Sequence, residues 1–181
     1  MKKRILSLAL TALALLALAG CGKTGDSSPV RQPKDYVGIL GSARSDDENE
    51  AFAIVHGKTG ETTTMTGLSG DEAASMSAMA LETFGLDETL CSEYALSISL
   101  MNVHAYGVGI FLPAAGKADA VKQAAEAYVA AQVKAQQNYL PDQYEIAKSA
   151  VVEQVPSGEI VLAMCEDADE VAARIQKALA E

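Results

Sequence analysis

The alternation of apolar and polar positions divides the chain into a short leader, a polar spacer and one domain-length segment. Lys2, Lys3 and Arg4 precede a largely apolar run from Ile5 to Ala19, which ends abruptly at Gly20-Cys21. Spanning a membrane takes about 20 apolar residues, so this run is short for that purpose. It has the basic start, apolar middle and small-residue end of a secretory signal. From Gly22 to about Lys34 the chain is dominated by Gly, Ser, Thr, Pro and Lys, with almost nothing to bury. That composition predicts a flexible tether, stiffened a little by Pro29 and Pro33. Periodic patterning begins at Tyr36 and runs to the last residues.

Within 36–181 the patterns become clearer toward the C-terminus. Tyr36–Leu40 is a short apolar run, and Ser45-Asp46-Asp47-Glu48 reads either as a capping box or as solvated loop. Ala51–His56 and Glu61–Met65 flank Gly57-Lys58-Thr59-Gly60, a hairpin signal. Ser69-Gly70-Asp71-Glu72 predicts a capped helix through Met76, Met79, Ala80 and Phe84, with Gly85 as its left-handed stop. Leu96, Ile98 and Leu100 alternate with Ser97 and Ser99, predicting a half-buried strand. After a turn at Asn102-Val103-His104, Val108, Ile110 and Leu112 predict a second strand, with Gly107 and Gly109 admitting close approach on its other face.

A long helix is predicted from about Lys117 to Asn138, with Val121, Ala124, Ala125, Tyr128, Ala131, Ala135 and Tyr139 at helical spacing. Pro141 starts a short helix whose Tyr144 and Ile146 face inward. Val151–Val155 and Glu159–Cys165 predict a hairpin around Pro156-Ser157-Gly158, and Asp167 is placed to cap a last helix striped by Val171, Ile175, Ala178 and Leu179. The order β-β-α-α-β-β-α predicts an α+β domain, a small antiparallel sheet with helices packed on one face. The organisation is therefore a signal over 1–20, a lipidated tether over 21–35 and a single domain over 36–181.

The leader changes how charge and cysteines are read. Leu18-Ala19-Gly20-Cys21 has the form of a bacterial lipoprotein cleavage site, making Cys21 the expected point of lipid attachment, by a diacylglyceryl group with room for a third chain such as palmitate on the freed amine. Two or more acyl chains hold a protein stably at a bilayer, so the expected location is the extracytoplasmic face of the cell membrane. Loss of residues 1–20 leaves 11 basic against 24 acidic residues, a formal charge of −13. Such a surface repels phosphate backbones and anionic headgroups, which argues against nucleic acid and against membrane docking by the folded part. Cys91 and Cys165 would either pair in an oxidising compartment or serve as small buried apolar groups.

Motifs with a defined chemistry are scarce. Gly57-Lys58-Thr59 lacks the earlier glycine of a phosphate-binding loop, since Phe52 stands there, and a turn is preferred. There is no GxSxG and no Ser-x-x-Lys. With only His56 and His104 available, Cys91 with His104 is the one nucleophile–base pair to consider. Asp46, Asp47, Glu48 and Glu50 lack the alternation and glycine of a calcium loop. Glu166, Asp167, Asp169 and Glu170 suit a helix start without any ligand. No catalytic residue, metal or cofactor is predicted. Tyr139 and Tyr144, bracketing a helix break, are the candidate interaction surface, against the alternative that they pack at the joint.

Met101-Asn102-Val103-His104-Ala105, the strand after it, Gln136-Gln137-Asn138-Tyr139-Leu140-Pro141-Asp142-Gln143-Tyr144-Glu145 and the closing hairpin and helix resemble domain of unknown function 4358. That is a family of small bacterial lipoproteins, mostly from anaerobic Gram-positive lineages. The resemblance covers about Asp87 to Glu181. Family members tend to carry acidic residues where this chain has Tyr106-Gly107, and the segment Tyr36–Leu68 is longer than usual. The resemblance implies a lipid-anchored extracytoplasmic domain and supplies no activity. The expected function is a non-enzymatic binding or interaction module with an envelope protein or peptide as partner. The alternatives are an envelope hydrolase or metal-dependent enzyme, or a small-ligand-binding lipoprotein.

Overall fold

The structure is a computed structural model that describes residues 32–181 apart from Asn102. The expected signal, the lipid site at Cys21 and nearly all of the tether lie outside the described residues. The elements are α1 (Tyr36–Ala43), α2 (Asp46–Ala51), β1 (Val55–Lys58), β2 (Thr64–Met65), α3 (Gly70–Phe84), β3 (Cys91–Ile98), β4 (Gly107–Pro113), α4 (Ala118–Gln136), α5 (Pro141–Lys148), β5 (Val151–Gln154), β6 (Ile160–Met164) and α6 (Ala168–Ala180). A single 3-10 turn, Glu88–Leu90, leads into β3. The strands form one six-stranded sheet in the order β2-β1-β3-β4-β6-β5, antiparallel at every pairing. The predicted α+β class and the β-β-α-α-β-β-α order of the C-terminal part are both present.

The helices, expected on one face, cover both. Tyr94, Leu96, Phe111, Ile160, Leu162 and Met164 point to one side, against Phe84 of α3, Val121, Ala125 and Tyr128 of α4 and Ala147 of α5. Ala95, Val108, Ile110, Val161 and Ala163 point to the other, against Leu40 of α1 and Val171, Ile175 and Leu179 of α6. This explains why β4 and β6 read as nearly continuous apolar runs. It also corrects the reading of β3 as half-buried: Ser97 and Ser99 are buried with the rest, and Ser97 is satisfied by hydrogen bonds rather than by water. Of the β4 glycines, Gly107 admits another element as expected, while the space at Gly109 is filled mainly from within β4 itself. A Cβ on Gly107 would come within 2.9 Å of the Tyr128 ring, and one on Gly109 within 2.7 Å of the Phe111 ring. The space at Gly107 lets Tyr128 Oη donate to the Tyr106 carbonyl at 2.9 Å.

Several local predictions shift. Tyr36–Leu40 belongs to a helix whose start is capped by Asp35, which accepts from Gly38 N. Ser45 forms a full capping box with Glu48, resolving that ambiguity in favour of a helix. Ser69 and Asp167 occupy N-cap positions but neither side chain accepts a cap hydrogen bond. The β1–β2 hairpin exists, with Val55 opposite Met65, but its turn begins after Lys58. Gly85 ends α3 at φ +72°, and Gly158 turns the β5–β6 hairpin at φ +97°. The α4 stripe fails at its end. The chain leaves the helix after Gln136, whose carbonyl accepts from Tyr139 and Leu140, so Gln136 is buried and Tyr139 exposed.

Cys91 and Cys165 are free and buried on opposite faces of the sheet, which rules out a disulfide between them. Burial pushes both thiols up to about 12. The native protein is therefore expected not to react with Ellman's reagent at pH 8 at these positions, whereas the denatured domain releases two thiols. A native domain in which either position reacts promptly, or a denatured one with neither, would contradict this packing.

Candidate functional site

The chain between α1 and α2 turns sharply, and that turn sets the floor of the main cleft. Ser45 Oγ accepts from Glu48 N at 3.2 Å while Glu48 Oε2 accepts from Ser45 N at 2.9 Å. This reciprocal pair satisfies orphan donors at the start of α2 and holds the corner rigid. Arg44, at the end of α1, is thereby directed over the β3–β4 part of the sheet. Its Nη1 donates to Phe52 O at 3.0 Å, Ser97 Oγ at 2.7 Å and Tyr106 Oη at 3.1 Å. Its Nη2 donates to Asn49 Oδ1 at 2.7 Å, and Asn49 Nδ2 in turn donates to Gly41 O. Arg44 is 7% exposed, and its Nε has no hydrogen-bond partner.

Above this floor lies a cleft of about 420 Å³, a size typical of small-ligand sites. One wall is aromatic: Phe52 stacks on Tyr106 with centroids 3.9 Å apart, and His104 meets Phe52 edge-on at 6.0 Å. α5 supplies Ile146 and Gln143, whose Oε1 accepts from Ala105 N at 2.8 Å. The start of α6 supplies Asp167, Val171 and Arg174. Arg174 is occupied elsewhere, donating to Ala43 O at 2.8 Å and to Glu170 at 3.4 Å. Asp47 and Glu166 complete the mouth.

Two hydroxyl and thiol groups of the lining, those of Tyr106 and Cys165, are not activated. Burial pushes the Tyr106 hydroxyl up to about 12 despite the opposing pull of Arg44. Cys165, also in the lining, is pushed up to about 12 by burial and further by Glu48. Both stay protonated at neutral pH, so neither is a thiolate or phenolate. The sequence-derived Cys91–His104 pair is separated by the hairpin itself. Cys91 pairs with Pro113 at one end and Ile98 with Gly107 at the other, about 20 Å away at the rise of a strand. Hydrogen-bond contact between them is excluded. Among the described residues no group of three His, Cys, Asp or Glu side chains is placed to hold a metal ion, and no helix is long and apolar enough to cross a membrane.

Other sequence-derived candidates fall as follows. Gly57-Lys58-Thr59 lines a second depression of about 460 Å³, where Lys58 pairs with Glu61 at 3.5 Å across the turn. His56 Nε2 lies 3.2 Å from Glu93 Oε1, on neighbouring strands. Tyr144 is half-buried with Lys148 Nζ 5.0 Å from its ring centroid, while Tyr139 is 64% exposed. The residues that build the cleft, Arg44, Phe52 and Tyr106, were not singled out by motif. The one sequence signal near them is the Ser45–Glu48 capping box, which marks the corner but not the arginine before it.

No curated protein and no solved structure matches the chain. The sequence model of one family, Domain of unknown function (DUF4358), matches residues 67–166. That match starts earlier than the resemblance over 87–181 suggested, taking in α3, and stops before α6. Since it spans more than half of the chain, this protein belongs to the DUF4358 family.

Proposed function

We propose that this protein is a lipid-anchored, non-enzymatic binding module of the cell envelope, tethered through Cys21 and engaging a protein or peptide partner. The observation that carries the binding reading is the character of one end of the domain. There the cleft floored by Arg44 adjoins the loop between β3 and β4, whose Met101 and Val103 are 62% and 42% exposed. Gln143 ties α5 to this loop through Ala105, and α5 follows directly on exposed Tyr139. Exposed apolar side chains beside a concave polar site are the usual anatomy of a recognition surface. The enzymatic alternative loses its sequence-derived pair, Cys91 with His104, to the geometry of the β3–β4 hairpin, and Cys165, which lines the cleft with His104, is held protonated by burial. The anchoring part of the proposal rests on the sequence around Leu18-Ala19-Gly20-Cys21.

The two parts are tested separately. Replacement Cys21→Ser is expected to abolish metabolic labelling by palmitate and to remove the protein from the membrane fraction; retained label would overturn the anchor. For binding, p-benzoylphenylalanine placed at Val103 or Tyr139 of the full-length protein in cells is expected to give one discrete photo-adduct. The same probe at Met79, 48% exposed on α3, is expected to give none. Identical adducts at all three positions, or none at any, would contradict a recognition surface at this end.

A further inference from the structure

Arg44 is a buried cation whose four hydrogen bonds all go to neutral acceptors. Among the described residues no carboxylate lies within ion-pair distance of it. The acid next to it in the corner, Glu48, is committed to the Ser45 backbone and hydroxyl. A charge withdrawn from water without a close counter-charge is costly unless something outside the fold supplies that counter-charge. Arg44 lines the cleft, and its guanidinium keeps one unpartnered donor, Nε, buried at the cleft floor. Arginine is suited to carboxylates because its planar fork matches their two oxygens.

The mouth is mainly acidic, since Arg174, which also lines it, is paired with Glu170 at 3.4 Å. Asp47, Glu166 and Asp167 line it, and among the described residues none of their carboxylates is engaged in a hydrogen bond or ion pair. Asp167 is the sole non-glycine residue at positive φ among those described, at +54°, and its side chain does not cap α6. Three unspent carboxylates around a buried guanidinium repel a phosphate or a plain organic acid. They suit a ligand whose carboxylate is accompanied by a cation a few ångströms away. Phe52 and Ile146 also line the cleft, offering apolar surface to an aliphatic stem. At about 420 Å³ the cleft admits one or two residues rather than a folded partner.

We infer that the cleft binds a basic residue with a free carboxylate: Arg44 holds the carboxylate, and Asp47, Glu166 and Asp167 hold the side-chain cation. A peptide ending in lysine or arginine and a free basic amino acid share this chemistry. The inference rests on the binding-module proposal and names the group recognised at that end of the domain.

Calorimetric titration of the full-length protein in detergent micelles, at low salt, tests it with three probes. Nα-acetyl-lysine is expected to bind, while Nα-acetyl-lysinamide, lacking the carboxylate, and Nα-acetyl-norleucine, lacking the cation, each bind at least tenfold more weakly. Free lysine and an N-terminally fluoresceinated hexapeptide ending in lysine separate the sources: tighter binding of the hexapeptide identifies a peptide terminus, and tighter binding of lysine a free amino acid. Arg44→Gln is expected to abolish all binding. Because Arg44 also joins several elements, Asp47→Asn with Asp167→Asn provides an exposed-site control, asparagine tolerating the left-handed backbone at 167. That variant should lose the preference for lysine over norleucine and keep the preference for acid over amide. Equal affinity for acid and amide, or no binding by any probe, overturns the inference. If photo-adducts at Val103 and Tyr139 persist in that event, the module stands with a different ligand; if they are absent too, both readings fall.

Discussion

Covering both faces of a single sheet is the constraint on which the remaining structure depends. β4 sits between β3 and β6, and Val108, Ile110 and Phe111 are fully buried. An antiparallel sheet with one wet face would tolerate polar residues on alternate positions, but here both sets are apolar or satisfied internally. Each large side chain buried in this way contributes about 1.5–3 kcal/mol relative to exposure. The sheet therefore needs two helical layers, α3, α4 and α5 on one side and α1 with α6 on the other. Gly107 lets the first layer approach closely enough for Tyr128 to reach the backbone of β4.

The second layer produces the site as a by-product of its own packing. α1 lays Leu40 on the sheet, and the chain must then turn to reach β1, which lies beside β3. The Ser45–Glu48 box makes that turn rigid, and Arg44 fills the space beneath it by donating to Phe52, Ser97, Tyr106 and Asn49. One side chain thereby ties α1, α2, β3 and the start of β4 together. It does so with its charge unmatched by an adjacent carboxylate, while the acids gather at the rim.

How much of this is visible in the sequence depends on the range of the interactions involved. Elements set by local patterning, such as the β5–β6 hairpin around Gly158, α5 starting at Pro141 and α3 stopping at Gly85, are legible because the turn and cap residues act within a few positions. The second helical layer is not, since Tyr36–Leu40 is too short to distinguish strand from helix and its partner α6 is 130 residues away. The serines of β3 mislead for a related reason: Ser97 mimics a solvent-facing position but is satisfied by Arg44 and Ala53. Tyr139 falls out of the predicted stripe because the helix ends at Gln136. Arg44 carries no motif at all, as its importance comes from four partners brought in by tertiary structure.

The family match covers residues 67–166 and so omits both α1 and α6, the elements that build the second layer and position Arg44. Both helices are integral to the fold, since their side chains complete the second core. Native-state hydrogen exchange of the full-length protein, followed residue by residue across a denaturant series, measures this directly. Amides of Leu40 and Ile175 should exchange with the same opening free energy and denaturant dependence as those of Val108 and Ile110, through one global unfolding. Exchange of Leu40 at a much lower free energy and with shallow denaturant dependence would show α1 to be a detachable strap. The Arg44-floored cleft would then not be a fixed feature of the domain.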